Sequence, residues 1–296
     1  EITQMKAKHR QQIEGIAYVL PAMLLYSCFV LIPILCVFVY STMEWDGMGE
    51  MTFVGLANFV EIFKSAEFRT ALGNNIKFFI LGVPLWTIFP MIVAVLLHEE
   101  VKGWCFFRSA YFFPTVISTS VLATLFKTFF LYDGPVNRIG ALFGLEPFEW
   151  FAHGNIAIGL ITIAVNWMGF GSAVLIFLSG MANFPPEIYE AAELDGAKWW
   201  RMLRSITLPL LRPTLQFVIM LNIMSVFTGM FGFVFMITGG GPGYDTTVLE
   251  YLLYTKAFEL HDMGYASALS VVLFVIVVLV TLLQRKVTKG NDEVQL

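Results

Sequence analysis

The chain has 296 residues, of which 57% are hydrophobic and only 14% are charged. A soluble domain averages about 45–50% apolar and about 25% charged residues, so the excess of apolar side chains is expected to face lipid. The formal net charge of −4 argues against a nucleic-acid-binding protein, which needs a basic face to neutralise phosphates.

Six apolar runs are long enough to cross a bilayer, whose hydrocarbon core of about 30 Å needs roughly 20 helical residues. They lie at about 16–40, 76–97, 110–131, 156–179, 214–237 and 264–283. The first run is too long for the apolar core of a signal peptide, and no small-residue cleavage site follows it. We therefore expect a retained first helix and an all-α membrane protein with six transmembrane helices.

The distribution of basic residues predicts the orientation, because Lys and Arg in short loops favour the cytoplasmic side. Twelve of the eighteen lie at the two ends of the chain and in alternate loops: Lys6, Lys8, Arg10, Lys102, Arg108, Lys198, Arg201, Arg204, Arg212, Arg285, Lys286 and Lys289. Both the N terminus and the C terminus are therefore expected in the cytoplasm. This predicts a cytoplasmic segment at 1–15, a transmembrane domain at 16–285 and a cytoplasmic tail at 286–296.

The run Gly239-Gly240-Gly241-Pro242-Gly243 predicts a break after the fifth span, because it cannot propagate a helix. A short amphipathic helix is expected to follow at the outer membrane interface, capped by Asp245 or Thr246. Its predicted apolar side carries Val248, Leu249, Leu252, Leu253 and Phe258.

The loop between the fourth and fifth spans, residues 183–215, is the least lipid-like stretch of the second half. Pro185 and Pro186 fit a helix start, and Gly196 is its natural stop. A second short helix is expected at about 197–206, with one apolar side. Periodicity alone leaves open whether that side packs on its own bundle or on a partner. The apolar side carries Trp199, Met202, Leu203 and Ile206.

The residues of this loop, Glu190-Ala191-Ala192, then Asp195-Gly196, then Ile206-Thr207-Leu208-Pro209, resemble the EAA signature of the inner-membrane subunits of ABC importers. Other segments resemble the carbohydrate-uptake branch of that family, the maltose- and glycerol-phosphate-type permeases. They are residues 54–59, 238–242 with 247–249, and 264–270. The chain departs from the maltose-type subunit in its short first external loop and in lacking additional N-terminal helices, so contacts of those parts are not carried over.

The resemblance implies a type I ABC importer permease bundle in a bacterial or archaeal plasma membrane. It implies a coupling loop at 185–209 that docks on an ATP-binding subunit, and it assigns to that loop Tyr189, Glu190, Ala191, Ala192, Asp195, Gly196, Ile206, Leu208 and Pro209. The implied partners are a second related permease in a heterodimer, two ATP-binding subunits and an extracellular or periplasmic sugar-binding protein. The chain has no GxxxxGK[ST] pattern, so ATP and Mg²⁺ are expected on the partner ATPase and no cofactor in this chain.

A sugar path needs hydrogen-bonding groups for hydroxyls and aromatic faces for the ring. Helical spacing places polar and small residues on one face of the fifth span and of the fourth. The residues alone leave open whether they bond neighbouring helices or contact substrate, and the family resemblance favours substrate. On the fifth span Asn222, Ser225 and Gly229 share the face, with Thr228 nearby; on the fourth span Asn166, Gly169 and Phe170 share it, with Trp167 adjacent.

Three alternatives compete with a sugar permease. The first is an ABC permease for another solute, such as glycerol phosphate or an amino acid; a basic cluster in the cavity would support phosphate, and the sequence offers none. An intramembrane enzyme is disfavoured because the sequence has no HExxH or GxSxG motif and no carboxylate pair facing a span; no catalytic residue is predicted. Cys28, Cys36 and Cys105 lack metal-ligand spacing, so no metal site is predicted either. The third alternative is a channel or a structural membrane protein. The loop at 183–215 discriminates, because a channel has no need for an ATPase dock.

Overall fold

A computed structural model describes residues 16, 18–98 and 104–289. The contacts divide the chain into two compact units, Glu1–Lys64 with Leu253–Val272 and Ser65–Leu252 with Leu273–Leu296. The predictions for the segment 1–15, for Lys102 and for the end of the tail concern residues outside the described ranges and stay predictions.

The described residues are mainly helical, with one short antiparallel hairpin of β1 (Met43–Glu44) and β2 (Thr52–Phe53). The helices, numbered α1 to α13 in chain order, are Tyr18–Tyr40, Ala57–Lys64, Ala66–His98, Trp104–Val116, Thr119–Phe129, Pro135–Leu142, Gly154–Met181, Pro186–Leu194, Trp199–Leu210, Arg212–Thr228, Phe231–Ile237, Leu249–Tyr254 and Met263–Lys289.

Four of these helices, α1, α3, α7 and α13, are long and apolar enough to cross a membrane, and counting two bent pairs as spans raises the number to as many as six. The prediction of a helical chain with several membrane spans is therefore confirmed.

The predicted third span is not one straight helix. Its two parts, α4 and α5, meet at an angle of 103°. Pro114 lacks the N–H that would continue the ladder of α4. Ser118 then starts the next helix, because its hydroxyl accepts the N–H of Val121 at 3.4 Å.

The predicted fifth span, at 214–237, is also interrupted. Its first part, α10, ends at Thr228, and its second part, α11, begins at Phe231. Gly229 leaves the helical conformation with φ −136° and ψ 3°. The apolar run hid this break because the residues on both sides of it are as hydrophobic as those of an unbroken span.

The core of the second unit lies among α3, α7, α10 and α11. Trp86 of α3 joins α7 by donating its indole N–H to the carbonyl oxygen of Thr162 at 2.9 Å. Large side chains that are almost completely buried there are Phe78, Leu122, Ile158, Ile161, Val226 and Phe233. A second cluster, with Phe177, Met181 and Leu211, fills the other ends of α3 and α7.

In the first unit, one asparagine organises the hairpin. The side-chain amide of Asn58 donates to the carbonyl oxygens of Ser41 at 3.0 Å and Met43 at 2.9 Å. The N–H groups of Met263 and Gly264 both donate to the backbone carbonyl oxygen of Trp45, at 2.9 and 3.1 Å. Asn58 and Gly264 belong to two of the family-like segments. The amide of Asn58 binds two carbonyl groups, and a Cβ at Gly264 would collide with the carbonyl oxygen of Met43, so both residue types have a structural reason.

The short helix after the glycine-rich run differs from its prediction. It spans Leu249–Tyr254, and the side chain of Asn75, not Asp245 or Thr246, accepts its first N–H, at 2.9 Å. Val248, Leu249 and Leu252 are at most 1% exposed, whereas Phe258 is 60% exposed. Three of the five residues on the predicted apolar side therefore pack inside the protein.

Two glycines of α7 differ sharply in the space around them, which gives a test of this packing. A Cβ at Gly171 would lie 2.6 Å from the Cα of Phe112, because α4 and α7 approach closely there, whereas a Cβ at Gly159 would meet nothing within 4 Å. Nearby, the hydroxyl of Thr115 donates to the carbonyl oxygen of Met168 at 2.9 Å.

We expect Gly171→Ala to lower the free energy of unfolding by about 1–3 kcal/mol, the usual cost of overpacking. Gly159→Ala serves as the matched control on the same helix and should leave stability unchanged or slightly raised. Thermal unfolding of both variants in nanodiscs measures the difference. Equal midpoints for the two would contradict the close approach of α4 and α7.

Candidate functional site

The EAA segment folds as two short helices, α8 and α9, joined by a tight turn; we call residues 186–210 the knob. The turn works because Gly196 adopts φ +73°, a left-handed conformation that costs glycine little. The N–H groups of Gly196 and Ala197 donate to the carbonyl oxygens of Glu193 and Ala192, both at 2.9 Å. Two carbonyl groups at the end of α8 are thereby hydrogen-bonded within the chain, without a partner protein.

A polar contact joins the two arms of the knob. The hydroxyls of Tyr189 and Thr207 lie 3.1 Å apart, although the residues are 18 positions apart in the chain. A cavity of about 370 Å³ lies beside them and reaches the ends of α3 and α7 at Val95 and Met181. The apolar side of α9 therefore packs on its own bundle, since Trp199 and Leu203 contact the second core cluster.

The opposite side of the knob is exposed. α8 buries none of its residues, and Leu194 and Trp200 are 90% and 74% exposed. The periodicity analysis missed Trp200. The signal was present, because adjacent residues point about 100° apart on a helix, so Trp199 and Trp200 cannot share one buried side.

The other predicted coupling residues take both environments. The exposed ones are Glu190, Ala191, Asp195, Gly196 and Pro209, and the half-buried ones are Ala192, Ile206 and Leu208. Pro209 lies within α9 instead of ending it, because helix α9 continues through a π-turn, Leu203–Thr207, up to Leu210.

A second cavity, of about 580 Å³, contains part of the predicted substrate path. The carbonyl oxygen of the Asn166 side chain is buried and has no hydrogen-bond partner among the described residues. The cavity is lined by Phe89, Tyr111, Leu125, Phe126, Phe129, Phe130, Val136, Ile163, Asn166, Trp167 and Phe170. It combines aromatic faces with one amide side chain, whose oxygen is unpartnered among the described residues.

Sequence reasoning treated most phenylalanines as lipid-facing and missed this aromatic wall. Phe126, Phe129 and Phe130 recur at the helical spacing that places them on one side of α5. The Phe126 ring lies 6.0 Å from that of Trp167, and the Tyr111 ring lies 5.3 Å from that of Phe170. The 103° bend before α5 brings this wall to α7.

The predicted residues of the fifth span do not line this cavity. Asn222 donates its side-chain N–H to the hydroxyl of Thr87 at 2.9 Å, so its amide joins α10 to α3. Thr228 bonds to its own helix, and Gly229 ends it. Ser225 and, on α7, Gly169 also lie outside the lining. Asn222 thus joins two helices, whereas Asn166, Trp167 and Phe170 line the cavity.

The carboxylate of Glu250, which sequence reasoning missed, lies at the break of the fifth span. The backbone N–H groups of Met230 and Phe231 donate to its oxygen Oε2 at 2.8 and 2.9 Å. Burial raises the pKa of Glu250 above its ordinary value, and the two backbone hydrogen bonds oppose that rise. A sequence search had no signal for this contact, because a helix break is not visible in hydropathy.

Comparison with known proteins places this geometry in a family. Residues 72–291 match the family described as "Binding-protein-dependent transport system inner membrane component". The chain is 32% identical over 280 residues to the Multiple sugar-binding transport system permease protein MsmF of Streptococcus mutans serotype c, covering 93% of this chain and 95% of that protein. It is 31% identical over 284 residues to the Trehalose/maltose transport system permease protein MalF of Thermococcus litoralis, with 95% and 96% covered.

The fold agrees with these relatives. A chain of a bacterial ABC transporter involved in the import of the acidic polysaccharide alginate superposes with a TM-score of 0.85, at 19% identity, covering 97% of this chain and 99% of that one. The resemblance inferred from the EAA segment is confirmed. The chain belongs to the family of binding-protein-dependent transport system inner membrane components.

Proposed function

We propose that this chain is the permease subunit of an ATP-driven importer of sugars, with oligosaccharides as its substrate class. The observation that carries the proposal is the exposed EAA knob in a chain whose full-length relatives are named as permeases for multiple sugars, trehalose and maltose, and arabinooligosaccharides. A channel has no use for such a knob, and the relatives are transporter subunits instead of enzymes.

The membrane topology that suits this role has six spans with both termini in the cytoplasm of a bacterium or archaeon. In this topology α4 and α5 together form the third span, and α10 and α11 together form the fifth. Lys198, Arg201 and Arg204 support a cytoplasmic position for the knob, because basic residues favour that side. In this arrangement the segments 1–15 and 286–296 flank a permease domain at 16–285.

The knob is the proposed dock for the ATPase. Leu194 on α8 and Trp200 on α9 offer exposed apolar surface, which a separate ATP-binding subunit would bury. Glu190 adds a negative charge on α8. ATP and Mg²⁺ would bind that partner. Two ATP-binding subunits, a second related permease and an external sugar-binding protein complete the proposed complex.

Transport would depend on contacts between the knob and the ATP-binding subunits that differ between the two states of the bundle. ATP-driven closure of the partners can change the bundle only if the knob binds them more tightly in one state than in the other. The cavity chemistry favours a neutral sugar over glycerol phosphate, because none of its lining residues is Lys or Arg. One amide and several aromatic rings suit hydroxyls and the apolar faces of sugar rings.

The turn of the knob can be tested by two substitutions at Gly196, to residues of similar size but different backbone preference. A Cβ there meets nothing within 4 Å, so sterics do not interfere. Valine in a left-handed conformation costs about 1–2 kcal/mol, whereas asparagine tolerates it. We expect Gly196→Val to lower sugar-stimulated ATP hydrolysis about 5–30-fold and Gly196→Asn to retain it.

The assay uses the reconstituted complex with its binding protein and a panel of maltose, trehalose and arabinooligosaccharides. Thermal unfolding of both variants shows that the bundle is intact. Equal stimulation of Gly196→Val and Gly196→Asn would exclude a role for the turn geometry in coupling.

Asn166 and Asn222 form a second contrasting pair. Asn166→Leu removes a buried, unpartnered acceptor, so folding should be unaffected, but sugar uptake should fall about fivefold to tenfold if one hydrogen bond to substrate is lost. Asn222→Leu breaks the bond to Thr87 and should lower stability by about 0.6–2 kcal/mol. Uptake and unfolding are measured for both, and full uptake by Asn166→Leu would remove it from the path.

A further inference from the structure

The break in the fifth span leaves backbone donors without helical partners, and one side chain satisfies two of them. The N–H groups of Met230 and Phe231 both donate to the same oxygen of Glu250, Oε2, at 2.8 and 2.9 Å. Glu250 lies 20 residues after Met230, in the first turn of α12. A residue of the external segment thus holds the start of α11.

A buried asparagine binds the same break from the other side. The side-chain amide of Asn75, on α3, donates to the carbonyl oxygen of Val226 at 2.7 Å, and its oxygen accepts the N–H of Leu249 at 2.9 Å. Asn75 is completely buried. The end of α10, the start of α11 and the start of α12 are therefore connected by two side chains, those of Asn75 and Glu250.

The break lies directly beside the predicted path residues of α10. Gly229 precedes Met230, and its N–H donates to the carbonyl oxygen of Ser225 at 2.9 Å. A displacement of Met230 would therefore change the position of Gly229 and of Ser225.

The external segment that carries Glu250 is itself held firmly. The side-chain amide of Asn74 donates to the carbonyl oxygens of Tyr244 and Thr247, both at 2.9 Å. The hydroxyl of Tyr244 donates to Glu67 at 2.9 Å, while its side chain remains 45% exposed. A force applied at this exposed surface would reach Glu250 through an ordered segment instead of being absorbed by a loop.

We propose that Glu250 is a positioning residue for transport, which ties the external segment 238–254 to the break of the fifth span and thereby transmits docking of the binding protein to residues 225–229. The inference rests on the proposed importer function. It assigns to Glu250 a role that depends on the reach of its side chain, because both hydrogen bonds converge on one oxygen.

Reach and charge can be separated by two conservative variants. Glu250→Gln keeps the chain length and an oxygen that can accept both N–H groups, but it loses the charge. Glu250→Asp keeps the charge but is one methylene shorter, so the oxygen cannot reach both donors at hydrogen-bonding distance. Glu250→Ala removes both properties.

The experiment uses the assembled transporter in nanodiscs, with its binding protein and the sugar of the panel that stimulates the wild type most. We expect Glu250→Gln to match the wild type within about twofold. In Glu250→Asp and Glu250→Ala the stimulation of ATP hydrolysis by sugar and binding protein should be about tenfold lower, a change equivalent to about 1.4 kcal/mol. Basal ATP hydrolysis should be retained. Hydrogen exchange of peptides covering Met230 and Phe231 should rise in the same two variants only.

Wild-type stimulation of Glu250→Asp would overturn the inference, and so would an impaired Glu250→Gln, since that would assign the effect to charge. Unchanged hydrogen exchange in Glu250→Ala would also overturn it. Failure of the importer function itself is distinguishable, because the wild type would then respond to no sugar of the panel.

Discussion

Backbone polar groups within a membrane must find partners inside the protein, and this constraint governs where the chain departs from regular helix. The third span bends after Pro114, and the hydroxyl of Ser118 starts the next helix. The fifth span breaks at Gly229, and Asn75 and Glu250 satisfy the groups that the break frees. The bend of the third span needs only the local side chain of Ser118, whereas the break of the fifth span uses side chains from elsewhere, which connect elements that are distant in sequence.

The two long helices α3 and α7 connect the candidate functional regions. Phe89 on α3 and Phe170 on α7 line the larger cavity, while Val95 and Met181 on the same helices line the cavity beside the knob. Phe170 and Met181 are eleven residues apart, or about 16 Å along a helix. A tilt of α7 imposed at the knob would thus alter the aromatic cavity, which gives a physical route for coupling between ATPase and substrate path.

The membrane-spanning helices and the helix–turn–helix of the knob could be predicted from the sequence. The length of an apolar run and the prolines and glycine at 185–196 are local properties that determine where helices begin and end. The breaks at Ser118 and Gly229 could not, since hydropathy does not register a turn within an apolar run. The sequence gives Asn222 and Asn166 the same prediction. Only the tertiary structure shows that Asn222 is hydrogen-bonded to Thr87, whereas the side-chain oxygen of Asn166 has no partner among the described residues. Val248 and Leu252 were placed at the interface because an amphipathic pattern does not say whether protein or lipid covers its apolar side.

The central claim is that the knob projects into the cytoplasm and is covered there by a separate ATP-binding subunit. Leu194→Cys, in a chain whose three native cysteines are replaced by alanine, tests it by labelling with a membrane-impermeant maleimide. The account predicts no labelling in intact cells, labelling in inside-out vesicles, and protection when the ATP-binding subunit is co-expressed. Labelling of intact cells, or equal labelling with and without that subunit, would contradict it.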